Sequence, residues 1–338
     1  MRAPLLRTVA GWLLGAAVWA AAAAEPGPSV EAQSRALQRA SDAVVGVRAI
    51  AVEDARSAAT LGRARQGSGV VIDRGLVLTI GYLILEAEQA LIVTDDARVV
   101  PARPLAYDVA TGFGLLQPLA PLRIEPAPLG RAAAVAVGEP LMVVSGGEDG
   151  AVSAAELLAR RPFAGYWEYH IEGALFTAPA RADHSGAALF NGRGELVGIG
   201  SLVVSDALGR DQGRRSGNMF VPIDLLPPIL PELQARGSSA QSRRAWIGLN
   251  CVETEVGVRV VRVNGDSPAE IAGVEAGDRI VRIDGTDVTA LDVLWKALWA
   301  GGAPEREVTL EIERGGERQT LKLQSVDRMK TLRSAQGI

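Results

Sequence analysis

The sequence predicts a mainly β protein: two successive barrel-like sets of strands, then a smaller unit that mixes strands with helices. Three observations predict it. Short apolar runs rich in β-branched residues and bounded by turn residues recur from position 43 to position 222. A polar stretch, Arg236–Arg244 (RGSSAQSRR), then interrupts the pattern as a linker would. Beyond it, residues 245–326 alternate strand-like runs with two helical ones.

A chain of 338 residues holds about two domains besides any leader, at ~100–200 residues per domain. The net charge is −4 with acidic and basic residues interspersed, so nothing marks a nucleic-acid surface, and proteins or peptides are the expected partners. The single cysteine, Cys251, excludes an intrachain disulfide, and with only His170 and His184 beside it no metal site and no cofactor is predicted.

In chain order, Arg2 and Arg7 precede an apolar run, Val9–Ala24, that ends in alanines before Glu25-Pro26-Gly27-Pro28. This is the layout of a secretory signal (1–24) with cleavage expected after Ala24, which places the protein in the periplasm. An uncleaved inner-membrane tether is the alternative, although the run is shorter than the ~20 residues of a spanning helix. Residues 25–40 form an N-terminal segment with an amphipathic helix near Val30–Ser41. Domain one, 41–235, is expected to carry strands near Ala43–Val52, Gly67–Asp73, Leu76–Thr79, Leu91–Thr94, Arg98–Pro101 and Phe113–Gln117, with 51–66 as a surface loop. A second set covers Pro140–Ser145, Tyr166–Ile171, Ala187–Phe190, Val197–Val204 and Asn218–Pro222, before a proline-interrupted helix at Asp224–Gln234. After the linker (236–244), domain two spans 245–326, with helices near Pro268–Ala272 and Ala290–Ala300, and 327–338 is a polar tail.

The stretch Thr177–Gly200, TAPARADHSGAALFNGRGELVGIG, organises the first domain. Ser185 enters a short apolar strand, Asn191-Gly192-Arg193-Gly194 makes a tight turn, and a second apolar strand returns. DHSGAALFNGRGELVGI resembles the nucleophile motif of the HtrA/Deg family of trypsin-like serine proteases, and further segments occur in family order: GSGVVID, LTIGYLI, YDVATGFGLL, FVPIDLL, then WIGL with AGDRIVRIDG. The resemblance implies a chymotrypsin-like double β-barrel followed by one PDZ domain of α+β type, and it suggests trimers.

Carried over residue by residue, the resemblance makes Ser185 the remnant nucleophile, puts Tyr82 where the family has its histidine base and puts Gly112 where it has its orienting aspartate. Asp183, His184 and Gly186 flank the oxyanion region, with Asp183 in a glycine's place. A serine hydroxyl needs a neighbouring base, itself oriented by a third group. A phenol of pKa near ~10 is a proton donor at neutral pH, and loss of the base costs on the order of 10⁶ in turnover. The three lysines, Lys296, Lys322 and Lys330, all lie in the second domain or tail, so no serine–lysine pair is available. His184 adjoins the serine, but neighbours on a strand face opposite ways. His170 reads as an ordinary half-buried histidine, Asp108 as a turn-capping aspartate and Tyr82 as a space-filling ring.

The second domain retains the aromatic-Ile-Gly-Leu loop, Trp246-Ile247-Gly248-Leu249, which in PDZ domains offers backbone N–H groups to a peptide's C-terminal carboxylate. Asn250–Val252 is then the edge that takes the peptide as a strand, and Leu291–Trp299 the opposite wall. The expectation is an exported pseudoprotease acting as a peptide-binding adaptor, sensor or chaperone-like factor. Two alternatives stand: an active serine endopeptidase using Ser185 with a non-standard base, and a regulatory subunit of an active HtrA-like oligomer.

Overall fold

A computed structural model describes residues 29–209 and 212–333. The signal reading of 1–24 and the last residues of the tail lie outside the described residues. Helix α1 (Val30–Asp42) starts where the Ser29 hydroxyl accepts the Ala32 N–H at 3.3 Å, and it ends by burying Ala40 against the first barrel.

Strands β1 (Val44–Ala51), β2 (Ala64–Val71), β3 (Val77–Ile80), β4 (Ala87–Val93), β5 (Val99–Tyr107) and β6 (Phe113–Pro118) close into a barrel in the order β1-β2-β3-β6-β5-β4. Strands β7 (Pro140–Val144), β8 (Val152–Ala164), β9 (His170–Ala178), β10 (Ala188–Phe190), β11 (Leu196–Val204) and β12 (Gly217–Pro222) close a second one in the order β10-β11-β12-β9-β8-β7. The inward residues of both barrels form one continuous core that includes Phe113, Phe176, Phe190 and Phe220. Closure leaves no long unpaired edge. The 51–66 loop contains the one-turn helix α2 (Ala58–Leu61) and the start of β2.

Two expectations for the second barrel are corrected. Val152–Ala164, to which the sequence pattern assigned nothing, is the long strand β8; its Ala, Glu, Leu and Arg residues are helix formers by propensity, and pairing with β7 and β9 overrides that preference. The strand expected at Tyr166–Ile171 begins only at His170, because residues 165–168 turn away from the barrel and meet the second domain.

Helix α3 (Leu230–Arg236) follows the proline cluster and ends at Gly237 in the left-handed conformation. Beyond the connector, β13 (Ala245–Trp246) leads into β14 (Leu249–Thr254), β15 (Gly257–Val263), α4 (Pro268–Ile271), β16 (Arg279–Ile283), β17 (Thr286–Asp287), α5 (Leu291–Ala300), β18 (Glu307–Arg314), β19 (Glu317–Gln324) and β20 (Val326–Asp327). The main sheet runs β14-β15-β16-β18-β19 and β13 pairs with β20. Its core is separate, with the fully buried Trp295 of α5 as its largest side chain.

The connector 236–244 is ordered against the first barrel. Asp108, fully buried, accepts from the Ser239 and Ser242 hydroxyls, each at 2.5 Å, and from the Thr111 N–H at 2.9 Å and hydroxyl at 2.7 Å. Burial opposes its charge, yet the hydroxyls of Ser239, Ser242 and Thr111 outweigh it and hold the carboxyl below its ordinary value. A carboxyl with a depressed folded pKa adds stability above the unfolded value near ~3.8, and that stability is lost as pH falls through the lower folded one. Asp108→Ala leaves these buried donors unmatched, so a loss of about 2–4 kcal/mol is expected in urea unfolding at pH 7. A loss under about 0.5 kcal/mol would show that the connector is held by other contacts.

Candidate functional site

The turn between β10 and β11 forms as the sequence predicts: the Gly194 N–H reaches the Asn191 carbonyl at 2.9 Å, and Asn191 Oδ1 accepts the Arg193 N–H at 2.9 Å. Just before β10, Ser185 stands in a tight turn with Gly186 at φ +73°, and the Ser68 N–H of β2 binds the Ser185 carbonyl at 2.8 Å. The two barrels thus meet at the serine.

Tyr82 follows β3 in a short 3₁₀ turn, Gly81–Leu83, and its hydroxyl lies 2.8 Å from Ser185 Oγ and 2.9 Å from the Ser201 carbonyl oxygen. A carbonyl only accepts, so the phenol's one proton is directed to Ser201 and the Ser185 hydroxyl donates to Tyr82 Oη. Ser185 is therefore aimed at an oxygen that already carries a proton. Burial pushes the Tyr82 pKa up to about 12, against a smaller opposing effect of the Ser185 hydrogen bond. At neutral pH a group of that pKa is ionised in only ~10⁻⁵ of molecules.

Gly112 lies beside this turn, its carbonyl accepting the Gly81 N–H at 2.7 Å. It has φ +82°, and a Cβ there would sit 2.9 Å from the Tyr169 hydroxyl. That hydroxyl donates to the Thr111 carbonyl at 2.7 Å, and the Tyr169 ring stacks on Trp167 with centroids 5.4 Å apart. Tyr169 fills the space a side chain at 112 would need. Spacing gave no hint of it, since its partner is 58 positions away; the cluster Tyr166-Trp167-Glu168-Tyr169-His170, in a chain with four tyrosines, was the available signal.

Beside Ser185, Asp183 is ion-paired with Arg181, whose Nε is 2.9 Å from Oδ1, and it accepts from the Ser145 hydroxyl. Burial works against its charge, but these two hydrogen bonds and the Arg181 charge keep its pKa below the ordinary value. Its negative charge is thereby largely compensated by a residue the sequence reading did not single out. His184 turns its Nδ1 to the Arg181 carbonyl at 3.1 Å. His170, buried, has Nε2 without a hydrogen bond and 3.7 Å from Glu172; burial and the Lys296 charge lower its pKa. Among the described residues no group of three or more His, Cys, Asp or Glu side chains is arranged to hold a metal.

In the second domain, Ile247, Gly248 and Leu249 point their N–H groups at a single point. Gly248 is at φ +88°, and a Cβ on it would fall 2.2 Å from the Ser267 side chain, so the loop requires glycine. The point is occupied by the carboxylate of Glu168: its Oε1 accepts from Ile247 at 3.2 Å, Gly248 at 2.7 Å and Leu249 at 3.1 Å. Burial drives the Glu168 pKa up to about 7, while those three N–H donors and the Arg328 charge pull it down. Cys251, on β14, is fully buried, and burial with the nearby Glu168 charge raises its thiol pKa.

Comparison with known proteins matches residues 67–199 to the trypsin-like peptidase domain and 245–324 to the PDZ domain. HhoA of Synechocystis sp. is 28% identical over 297 residues, covering 78% of this chain and 71% of its own. Serine endoprotease DegS of Haemophilus influenzae is 26% identical, covering 74% of each chain. The chain thus combines a trypsin-like peptidase domain with one PDZ domain, and its relatives are HtrA/Deg-type serine proteases. A DegP-like periplasmic serine endoprotease of Pseudomonas fulva is also 26% identical, and the chain spans only 55% of that relative's length. Among solved structures, the HtrA-type protease AlgW with a decapeptide superposes with a TM-score of 0.54 at 19% identity, covering 90% of this chain and 99% of the other. The chain therefore has the double barrel and the PDZ domain that its sequence predicts. No helix among its described residues is long and apolar enough to cross a membrane.

Proposed function

We propose that this HtrA/Deg chain is a periplasmic pseudoprotease, a peptide-binding adaptor or sensor in envelope protein quality control. The observation that carries the reading is the bond between Ser185 and Tyr82. The serine proton is directed at a neutral phenol, and among the described residues no ring nitrogen is hydrogen-bonded to Ser185 Oγ. In this reading Tyr82 holds the place of the histidine base and Gly112 that of the aspartate, which removes both groups that make a serine nucleophilic. The barrels then serve as a scaffold for the PDZ domain, whose Trp246–Leu249 loop takes peptide C-termini. The names of its DegP-like relatives place those proteins in the periplasm.

The test is a β-casein digestion with purified residues 25–338 and its Ser185→Ala variant. Neither is expected to exceed about one cleavage per molecule in a day, which is a turnover of ~10 s⁻¹ reduced 10⁶-fold and leaves an excess of β-casein essentially uncut. Cleavage by the wild type that Ser185→Ala abolishes would establish an active endopeptidase instead.

A further inference from the structure

The segment that carries Glu168 lies along the PDZ groove as a ligand would. Trp167 forms an antiparallel bridge with Asn250 of β14, and the Cys251 N–H donates to the Tyr166 carbonyl at 2.6 Å. From the other wall, Trp295 Nε1 of α5 donates to the Gly165 carbonyl at 2.9 Å, and Lys296 pairs with Glu172 at 3.0 Å. Residues 166–168 therefore occupy the strand-pairing edge and the three converging N–H groups together. The polarity is that of a peptide antiparallel to β14 with its carboxylate in the loop. The barrel supplies that carboxylate from a side chain, and the backbone continues past it to Tyr169.

We propose that Glu168 is a built-in occupant of the carboxylate site, so that a peptide with a free C-terminal carboxylate binds this chain by displacing residues 166–168. This rests on the reading of the loop as a peptide C-terminus site and adds the competitor to it. Three consecutive N–H groups around one carboxylate are specific for an anion, and a docking contact between domains has no need of that arrangement. Glu168 is also a poor tenant: enclosing it raises its pKa, so part of the energy of its hydrogen bonds is spent on desolvation. A chain-terminal carboxylate placed there meets the same desolvation, but its ordinary pKa near ~3.5 is below the ~4.3 of a glutamate side chain, so it holds its charge the more readily of the two. The cost of opening is set by the rest of the segment.

The experiment uses residues 25–338 as wild type, Glu168→Gln and Glu168→Ala. Amide hydrogen exchange is read at Gly248, Leu249 and Cys251, together with binding of a fluorescent pool of randomised heptapeptides with free C-termini and a matched amidated pool. Glu168→Gln keeps the size of the side chain and controls for folding. Expected are at least tenfold faster exchange at Gly248 and Leu249 in Glu168→Ala, with a smaller change in Glu168→Gln. Free-acid peptides should bind Glu168→Ala at least tenfold tighter than wild type, and the amidated pool should bind neither. Unchanged exchange in Glu168→Ala, or equal peptide affinity in wild type and variant, overturns the competitor. Fast exchange in Glu168→Ala without any preference for free-acid peptides overturns the reading of the loop itself, which is a different failure.

Discussion

Tyr82→His alone cleaves β-casein only slowly, whereas Tyr82→His combined with Gly112→Asp and Tyr169→Phe cleaves it on the order of 10²–10³ times faster than the single variant. An imidazole at 82 would face Ser185 with no carboxylate to fix its tautomer, and in the triad template losing that carboxylate's function costs about 10⁴ in turnover. Aspartate cannot simply be placed at position 112, because a Cβ there meets the Tyr169 hydroxyl at 2.9 Å, while the ring carbons behind it stand at an ordinary 3.5 Å. Removing that hydroxyl opens the space. Two costs remain. The backbone keeps φ +82°, a conformation aspartate tolerates better than most residues, and the buried Thr111 carbonyl loses its donor. Together these are worth about 1–3 kcal/mol and remove roughly a factor of ten to a hundred from the gain. Asp183 stays in place throughout, held by Arg181, so the variant is expected to fall well short of an intact protease. Equal rates for the single and triple variants would show that position 112 is not where an orienting carboxylate acts.

The parts of this molecule that were legible in its sequence are those written in short range. The hairpin after Ser185 announces itself through Asn191-Gly192 between two apolar runs, and the glycine of the PDZ loop through its aromatic-Ile-Gly-Leu neighbours. Tyr82 and Gly112 are singled out only by a resemblance, because nothing in their own sequence surroundings marks them. Tyr169 and Glu168 were not legible: the first acts on Thr111 across 58 positions and the second on Gly248 across 80, and no local pattern carries such a pairing. The expected opposition of His184 and Ser185 assumed a strand where the chain makes a turn, so that argument lapses, and the ring is instead accounted for by its contact with the Arg181 carbonyl. Arg181 itself changes the electrostatics of the serine centre from uncompensated to paired, two residues from Asp183, and a charge two positions away is too common a pattern to single out.

The same phenol sets how Ser185 responds to pH. Any reaction of the serine with a fluorophosphonate probe that passes its proton to Tyr82 needs the phenolate, whose population grows tenfold per pH unit until the pKa of about 12 is passed. Labelling of wild-type chain is therefore expected to rise about a thousandfold between pH 7 and pH 10 with no plateau, and Tyr82→Phe, which retains the ring but not the oxygen, should flatten the slope. The sign for stability runs the other way. A phenol whose folded pKa lies above its ordinary ~10 stabilises the fold below pH 10 and loses that contribution as pH rises through 12, so the window from pH 7 to pH 10 keeps the chain folded by this criterion. Labelling that does not follow this slope, and that is lost in His184→Ala and kept in Tyr82→Phe, would assign the base to His184 and show that the Ser185–Tyr82 bond does not control the reactivity of the serine.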